Sequence, residues 1–412
     1  MTPELLQRIF NEAGPDYSAE TCPQAKLSDL NPNAIEDFQA RWISHSGNPR
    51  LRDLSPEQLL EDAGLLRHGR ITYAALVLFG TEKALQNHLP QAEIIFEYKS
   101  SERAGPAQQR VNIREGFFSC YDRLWELINL RNDKQHYSEG LFVYDIPTFD
   151  ERTIREAILN AISHRDYRLG GSIFIRQFPQ KIVIVSPGGL PEGITLENMI
   201  DRQNPRNRPI AEALEKCNLV ERSGQGMNLI YERLIEQSKP LPDFSNTDAY
   251  QVSLTISGQV KDPLFIRFLE KIAEENTKFQ LRTHDLILLD QIHSSQPIDP
   301  DYKPRLKELV EAGIIDRIGH GKGTSYLLGQ SFFELAGKAG IHTRKQGLSR
   351  AVNKELLLQH IRKSSRANLD EFRQVLPKIS DDQIKGIIQE LKKDGEISKK
   401  GNGRSTYWIP TG

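Results

Sequence analysis

The segment REAILNAISHRDY, residues 155–167, decides the fold class of the first part of the chain. Its apolar residues recur at i, i+3, i+4, i+7 and i+8, which predicts an amphipathic helix over Glu151–Tyr167. The apolar stripe consists of Ile154, Ala157, Ile158, Ala161 and Ile162. Glu156, Asn160 and His164 stand one turn apart on a second face of the same helix.

Two interpretations of this polar face are open. In the first it is an ordinary solvated face, because a Glu and an Asn four residues apart are common on helices. In the second the Glu156 carboxylate orients a water molecule and the Asn160 amide oxygen, a hard ligand, holds Mg²⁺. Arg165, Asp166 and Tyr167 then form the rim of a pocket.

Two glycine-containing stretches favour the second interpretation. Ser186-Pro187-Gly188-Gly189 directly follows a predicted strand, where small residues let a ligand approach the backbone. Gly224-Gln225-Gly226 directly precedes a predicted helix, whose free N–H groups and dipole favour phosphate. Neither stretch has the lysine of a Walker loop or lies in a Rossmann unit.

The surrounding sequence alternates between helix and strand patterns. Helices are predicted at Asn33–Ser44, Ser55–Asp62, Ile113–Leu130, Ile210–Cys217 and Met227–Glu236. Strands are predicted at Tyr73–Phe79, Ala92–Tyr98, Ser172–Phe178, Lys181–Ser186 and Tyr250–Ile256. A long loop, Pro187–Pro209, separates the two glycine stretches, and loops of this length are usually functional or disordered. The alternation predicts an α/β domain.

The order of these motifs resembles the GHKL (Bergerat) ATPase fold, an α/β sandwich. The stretches at 160–167, 186–191, 206–210 and 224–227 are similar to the RecG-C-terminal-like ATP-binding family. The resemblance covers about residues 30–258. Members of this family usually carry a Schlafen AlbA-type DNA-binding domain before this region, and we expect that domain to be absent here. Residues 1–30 are expected to be a linker or partly disordered.

The resemblance implies a role for each matching residue. Glu156 is the expected general base, and Asn160 is the expected Mg²⁺ ligand. The residues expected to bind ATP are Asn160, His164, Arg165, Asp166, Ser186, Gly188, Gly189, Gly224 and Gly226. Pro187–Pro209 is the expected lid. Slow, Mg²⁺-dependent ATP hydrolysis follows as an expectation.

One position departs from the family pattern. The wider fold places an Asp before the glycine pair to recognise the adenine amino group, and this sequence has Ser186-Pro187 there. A serine hydroxyl forms hydrogen bonds less selectively. The sequence contains no Walker A lysine motif, so we reject a helicase motor.

The last third of the chain contains an internal repeat. Leu306–Leu327 aligns with Ile388–Ile409 without a gap, at an offset of 82 residues. Each copy reads as a helix, a glycine, a strand, a basic glycine-rich turn and a second strand, with two helices before it. This order predicts two winged helix-turn-helix domains, at residues 261–335 and 350–412, after a GHKL-like domain at 31–258.

Basic residues in these domains suggest DNA as a partner. The candidates for phosphate contact are Lys303, Arg305, Lys322, Lys399, Lys400 and Arg404. Asp381 and Asp382 open the second recognition helix and would repel phosphate, unless they serve as helix-capping residues behind Ser380. Winged helices also dock proteins, so a protein partner stays open.

The charge distribution agrees with a polyanionic partner. Residues 261–412 contain 26 Lys and Arg against 20 Asp and Glu, whereas residues 1–260 contain 28 against 35. The net charge of −1 hides this asymmetry, which is modest enough to arise by chance.

Composition excludes several classes of protein. No run approaches the roughly 20 apolar residues of a membrane span, and the first residues lack a signal-peptide pattern. The three cysteines, Cys22, Cys120 and Cys217, are far apart, which predicts a reducing, cytoplasmic location without a zinc site or a disulfide framework.

The sequence as a whole predicts a dimeric, ATP-binding, DNA-binding transcription regulator in which nucleotide controls assembly or DNA binding. The alternative is a non-hydrolysing scaffold with a degenerate nucleotide pocket and winged helices that bind protein. One form of this alternative places the scaffold within a defence system. The first assignment requires ATP and Mg²⁺ as cofactors and DNA and a second copy as partners.

Overall fold

The computed structural model describes residues 16–103, 105–139, 142–220, 225–275, 281–298, 302–318, 324–335, 349–376, 379–401 and 406–411. The chain divides into two compact units, Met1–Pro263 and Leu264–Gly412. The first unit contains the motifs around residues 155–167, and the second contains both copies of the repeat.

The first unit begins with a helical region. Its elements are α1 (Pro32–Ser46), α2 (Pro56–Asp62), β1 (Leu66–Arg67), β2 (Arg70–Ile71), α3 (Tyr73–Phe79) and α4 (Glu82–His88). α1 ends at Gly47, which has φ +65°, and the Ser55 side chain caps α2 as a capping box. Both predicted helices of this region are therefore present.

The prediction of a strand at Tyr73–Phe79 is wrong, because these residues form helix α3. The Thr72 hydroxyl caps the helix by accepting a hydrogen bond from the N–H of Ala75, at 3.2 Å. Ala74–Phe79 are all buried. An apolar run that is buried on every side has no amphipathic period, so its pattern does not separate helix from strand.

Residues 16–30 are packed against the helical region rather than forming a linker. The rings of Tyr17 and Tyr73 stack with their centroids 4.5 Å apart, and Cys22 and Leu30 are buried. The N–H of Cys22 donates to the carbonyl of Ile71 at 2.8 Å. Residues 1–15 lie outside the described residues.

The central layer of the first unit is a five-stranded mixed sheet. Its strands are β3 (Ile94–Tyr98), β4 (Gln109–Ile113), β7 (Ile173–Phe178), β8 (Lys181–Pro187) and β9 (Gln251–Ser257), in the spatial order β4–β3–β7–β8–β9. β3 and β7 pair in parallel, with Phe96 opposite Ile175, and the other neighbours are antiparallel. This sheet agrees with the predicted α/β class.

Four helices and a separate hairpin complete the first unit. They are α5 (Phe117–Asn129), α6 (Glu151–His164), α7 (Arg208–Lys216), α8 (Gln225–Glu236) and the antiparallel pair β5 (Lys134–Glu139) and β6 (Phe142–Pro147). α6 packs against β8 and α8. The predicted helix at Ile113–Leu130 begins four residues late, because Ile113 belongs to β4, and the hairpin was not predicted.

The apolar stripe of α6 meets the buried face of the sheet. Ile154, Ile158 and Ile162 are each at most 3% exposed. Buried and partly exposed residues alternate along β7 and β8, and the buried ones include Ile175, Ile182 and Ile184. These contacts fix α6 against the sheet.

The second unit contains two modules with the same order of elements. The first has α9 (Pro263–Glu275), α10 (Thr283–His293), α11 (Lys303–Glu311), β10 (Ile315–Ile318), β11 (Ser325–Leu328) and α12 (Gln330–Leu335). The second has α13 (Ser349–Ser364), α14 (Leu369–Val375), α15 (Asp381–Lys393), β12 (Ile397–Lys400) and β13 (Tyr407–Pro410). Each module thus has three helices followed by an antiparallel hairpin.

Equivalent residues of the repeat occupy equivalent places. Leu309 and Leu391 are both fully buried. Gly313 and Gly395 follow the third helix of each module with φ of +71° and +78°, a conformation that favours glycine. The offset of 82 residues therefore relates two similar substructures. In the described ranges, no helix combines the length and the apolar character that crossing a membrane requires.

Candidate functional site

The polar face of α6 contains a carboxylate and an amide in direct contact. The side-chain N–H of Asn160 donates to Glu156 Oε1 at 3.1 Å. The Asp150 carboxylate fixes the start of this helix by accepting from the N–H of Thr153 at 2.9 Å. The predicted spacing thus places both side chains together on a firmly capped helix.

Helix α8 covers the Glu156 carboxylate. A β-carbon built on Gly226 would lie 2.0 Å from Glu156 Oε1 and 3.5 Å from the Asn160 amide nitrogen. Only a glycine allows the first turn of α8 to approach this closely. Glu156 is consequently only 5% exposed, so the interpretation of a solvated face does not hold for it.

Glu156 and Asn160 lie in the wall of a cavity of about 310 Å³. This volume is at the lower end of the range for small-molecule sites, roughly 300–1,000 Å³. The predicted site residues that line the cavity are Glu156, Asn160, His164, Ser186, Gly188 and Gly226. Apolar side chains such as Ile184, Met199 and Phe244 line it as well.

Other predicted residues lie outside the cavity lining. Arg165 is fully buried, and its guanidinium donates to the carbonyls of Asp166, Leu169 and Gly171 at 2.6–3.0 Å. Both terminal nitrogens of the guanidinium donate within the protein, so we correct its role from ligand binding to holding the turn after α6. Neither Asp166 nor Gly189 lines the cavity, and Gly224 lies outside the described residues.

Gly188 shapes the edge of the cavity next to β8. It has φ +99°, and its N–H donates to the carbonyl of Tyr250 at 2.7 Å. A β-carbon on it would lie 2.8 Å from Cβ of Asp166 and 2.4 Å from a guanidinium nitrogen of Arg206. Position 188 therefore requires glycine for a steric reason, because Asp166 and Arg206 occupy the space that a side chain would need.

The segment between β8 and α7, residues 188–207, lines the cavity, and we call it the cavity cover. Two of its side chains anchor it. The Arg206 guanidinium donates to the carbonyls of His164, at 2.9 Å, and Gly189, at 3.0 Å. The buried Asn207 amide donates to the carbonyls of Ser163 and Arg165, at 2.9 and 2.7 Å. Both residues belong to the stretch at 206–210, but no role was predicted for either of them from the sequence.

The end of α6 presents polar atoms that have no partner within the described residues. Ser163 Oγ and His164 Nδ1 are both buried without a hydrogen bond, and both residues line the cavity. Burial and the neighbouring Arg206 charge lower the pKa of His164 to about 4. His164 is therefore neutral near pH 7 and offers one donor and one acceptor.

Ser186 differs from the carboxylate of the wider fold in what its side chain does. Its hydroxyl donates to the carbonyl of Ala161 at 2.9 Å, which uses its single proton. Ser186 therefore ties the end of β8 to α6, and its oxygen can still accept a hydrogen bond from a ligand in the cavity.

The residues around Glu156 fit a magnesium–phosphate complex better than a protein-held metal. Among the described residues, no group of three or more His, Cys, Asp and Glu side chains could hold a metal ion. Mg²⁺ commonly takes one or two protein oxygens and completes its shell with phosphate and water. The Asn160 amide oxygen fits that donor set.

The predicted DNA-binding residues of the second unit have different surroundings. Lys399 and Lys400 are exposed on β12, whereas Arg305 forms a bidentate pair with the buried Asp285, at 2.5 and 2.7 Å. We therefore correct Arg305 to a residue that ties α11 to α10. Lys303 begins α11, and Lys322 and Arg404 lie outside the described residues.

Comparisons with known proteins agree with an ATPase-like domain. The family model described as "Putative ATP-dependent DNA helicase recG C-terminal" matches residues 170–256, which contain β7–β9, the cavity cover, α7 and α8. A second model, described as a domain of unknown function (DUF8451), matches residues 7–95. The first match and the five-stranded mixed sheet together support the ATPase family.

Similarity to a solved structure supports the fold. The chain is similar to the DIP2311 protein from Corynebacterium diphtheriae, with 23% identity and a TM-score of 0.63 over 80% of this chain and 68% of that chain. No curated protein matches the chain.

Proposed function

We propose that the first unit binds ATP with Mg²⁺ and hydrolyses it slowly, and that the bound nucleotide controls DNA binding or assembly by the second unit. The observation that carries this proposal is the contact of Glu156 with Asn160 in the wall of a largely apolar cavity, under the first turn of α8. The family match to residues 170–256 supports the same assignment.

Each polar residue of the cavity has a chemical task in this proposal. The Glu156 carboxylate accepts a proton from the attacking water, as a general base. The Asn160 amide oxygen would hold the metal ion, and bound Mg²⁺ would supply charge stabilisation at the phosphates. The first turn of α8, which begins at Gln225, directs backbone N–H groups towards a phosphate placed beside Glu156.

Recognition of the base falls to neutral side chains. Ser163, His164 and Ser186 surround the part of the cavity at the end of α6 and β8. A purine edge would satisfy the orphaned Ser163 Oγ and His164 Nδ1. These groups can donate or accept, unlike a carboxylate, so we expect weaker discrimination between adenine and guanine than an aspartate gives.

In this proposal the second unit binds DNA under the control of the nucleotide. The order of three helices and a hairpin in each module supports two winged helix-turn-helix domains, and we assign DNA binding to the unit that contains them. Pairing of two copies of the chain is part of the proposal. The competing assignment is a scaffold whose nucleotide pocket has lost its function. One form of this alternative places the scaffold within a defence system. The serine at position 186 favours the scaffold assignment.

Calorimetric titration separates the two assignments. Full-length protein is titrated with ATP and with GTP, each with and without Mg²⁺. Saturable binding of ATP supports the proposed function, and a small ratio of ATP to GTP affinity supports base recognition by Ser163, His164 and Ser186. Binding of neither nucleotide would contradict the proposed function and favour the scaffold assignment.

A further inference from the structure

The basic excess of the last third of the chain belongs to one of its two modules. Residues 350–412 contain 13 Lys and Arg against 8 Asp and Glu, whereas residues 261–335 contain 10 against 12. The two modules share their order of elements and differ in charge. A shared fold therefore does not require a shared partner.

The repeat shows where the difference lies. At the end of α15 and on β12, the second module has Lys392, Lys393, Lys399 and Lys400, which we call the lysine surface. At the equivalent positions, 82 residues earlier, the first module has Val310, Glu311, Arg317 and Ile318. Four positive charges in one module thus correspond to no net charge in the other.

Acidic neighbours of the lysine surface are neutralised by other residues. Asp394 and Glu396 lie between the two lysine pairs in the sequence, and Lys354 and Arg362 of α13 form ion pairs with them. All four side chains of the lysine surface are exposed, and in the described part of the chain none of them has an ion pair. Their charges are available to a ligand.

The acids at the start of α15 are partly neutralised as well. Arg373 of α14 forms an ion pair with Asp381, and the Ser380 hydroxyl caps the helix through the N–H of Gln383, at 3.4 Å. Lys385 lies 3.6 Å from Asp382. The predicted repulsion of phosphate is therefore confined to the first turn, at the opposite end of α15 from the lysine surface.

Two described basic side chains of α11 in the first module, those of Arg305 and Lys307, lie beside acids. Arg305 pairs with Asp285 and Glu308. Lys307 lies 3.6 Å from Glu311 on the same helix. A polyanion would have to displace these acids before it could bind there.

The hairpin of the second module adds an aromatic ring beside the lysine surface. Lys400 is opposite Tyr407 in the pairing of β12 with β13, so the two side chains share one face. The Arg366 guanidinium lies 5.9 Å from the centroid of the same ring. Tyr407 is thus flanked by two cations on the outer face of the hairpin.

We propose that the second module alone carries the DNA contact, and that its lysine surface binds the phosphate backbone of duplex DNA. This inference rests on the DNA binding proposed above and assigns it to one module. Lysine is depleted in the cores of protein–protein interfaces, whereas phosphate contacts are made mainly by Lys and Arg. Four exposed lysines, none of which has an ion pair within the described residues, therefore fit a phosphate backbone better than a protein.

The test measures the affinity of full-length protein for a fluorescently labelled DNA duplex at a series of salt concentrations, with fluorescence anisotropy as the signal. The variant pair Lys399→Gln with Lys400→Gln is compared with the wild type and with the matched pair Lys307→Gln with Arg317→Gln in the first module. Each lost phosphate contact lowers the slope of log K against log salt by about 0.9. The second-module pair should therefore lose nearly two units of slope and bind tens of times more weakly at about 0.1 M salt, by the same relation.

Each outcome has one meaning. The inference is supported if the second-module variant loses the expected salt slope and affinity while the first-module variant keeps the wild-type values. Loss in the first-module pair alone, or equal loss in both, overturns the inference and leaves DNA binding intact. Absence of salt-dependent binding by the wild type overturns the inference and the DNA part of the proposed function together, while the calorimetric test of the nucleotide site stands apart. Unchanged melting temperatures exclude misfolding as the cause of any loss.

Discussion

Gly226 lies against Glu156 so closely that a β-carbon on the glycine would be 2.0 Å from the carboxylate oxygen Oε1. The two residues are 70 positions apart in the chain and belong to different helices, α8 and α6. This contact joins the proposed catalytic residue to the helix whose first turn faces the cavity. The position of the Glu156 carboxylate therefore depends on a residue that has no side chain.

Replacing Gly226 by alanine should displace the carboxylate without unfolding the protein. The new methyl group meets the end of the Glu156 side chain, which can move, so we expect the free energy of unfolding to change by no more than about 1–2 kcal/mol. ATP hydrolysis should fall on the order of 10² or more, because the general base leaves its position.

Gly105→Ala is the matched control for this substitution, since a β-carbon there would have no atom within 4 Å. Hydrolysis by both variants is measured with chemical denaturation alongside. Wild-type hydrolysis in Gly226→Ala would show that the carboxylate position is irrelevant to turnover.

Replacing Glu156 by glutamine should separate binding from catalysis. The amide keeps the shape of the side chain and an oxygen that can accept the hydrogen bond from Asn160, but it is not a base. We expect hydrolysis to fall on the order of 10²–10⁴ with ATP affinity within about twofold of the wild type. Single-turnover kinetics with labelled ATP and a parallel binding titration provide both quantities. A variant that hydrolyses at the wild-type rate would remove Glu156 from the mechanism.

His164 should stay neutral while nucleotide binds. Because its pKa is lowered to about 4 from 6.5, we expect no contribution from this residue to the pH dependence of ATP affinity between about pH 5.5 and 8. The folded protein binds this proton less tightly than the unfolded chain. The stability that His164 contributes is therefore complete above pH 6.5 and is lost as the pH falls towards 4.

Two measurements check this account of His164. NMR titration of the imidazole gives the pKa directly, and unfolding of His164→Gln, compared with the wild type, should show a shallower loss of stability over the same pH range. An imidazole that titrates near 6.5 in the folded protein would show that it is exposed to water rather than buried at the cavity.

Lys239 should make the stability of the protein sensitive to pH. It is 1% exposed and donates to the carbonyls of Pro147 and Thr148, at 2.7 and 3.0 Å, and to the side chain of Gln237 at 2.6 Å. The Gln237 amide in turn donates to Asp150, the N-cap of α6, at 3.2 Å. The ammonium group thus connects the residues after α8 to the start of the helix that contains Glu156.

Burial lowers the pKa of Lys239 to about 8 from 10.5. The unfolded chain binds this proton more tightly, so the contribution of Lys239 to the free energy of unfolding rises with pH from 8 to 10.5. Lys239→Met should abolish this rise and, by leaving acceptors unpaired, destabilise the protein by about 2 kcal/mol or more at pH 7. Chemical denaturation of both proteins at pH 7 and 9.5 measures both effects, and an unchanged pH dependence in the variant would contradict the assignment.

The sequence predicted those features of the site that depend on local geometry. Glu156 and Asn160 are four residues apart, and the helix period alone brings them together. The apolar stripe of α6 was predicted for the same reason. Tyr73–Phe79 was assigned to the wrong type of element because a fully buried run lacks a period.

Tertiary contacts explain what the sequence did not predict. Arg165 follows His164 directly, yet its side chain turns into the protein and binds three carbonyls, while His164 faces the cavity. Arg206 and Asn207 anchor the cavity cover through carbonyls about 40 residues away in the chain. Which acids pair with which bases in the second unit also follows from packing, and no spacing rule shows it.

The measurement that tests the central claim most directly is the Mg²⁺ dependence of ATP binding by the wild type and by Asn160→Ala. If Asn160 supplies a ligand to Mg²⁺ bound with ATP, calorimetric titration of the wild type should show markedly tighter binding of ATP with Mg²⁺ than without it. In Asn160→Ala this enhancement should disappear, while affinity for metal-free ATP stays near the wild-type value. The same enhancement by Mg²⁺ in both proteins, or no ATP binding by the wild type, would contradict the assignment of this cavity as a magnesium–ATP site.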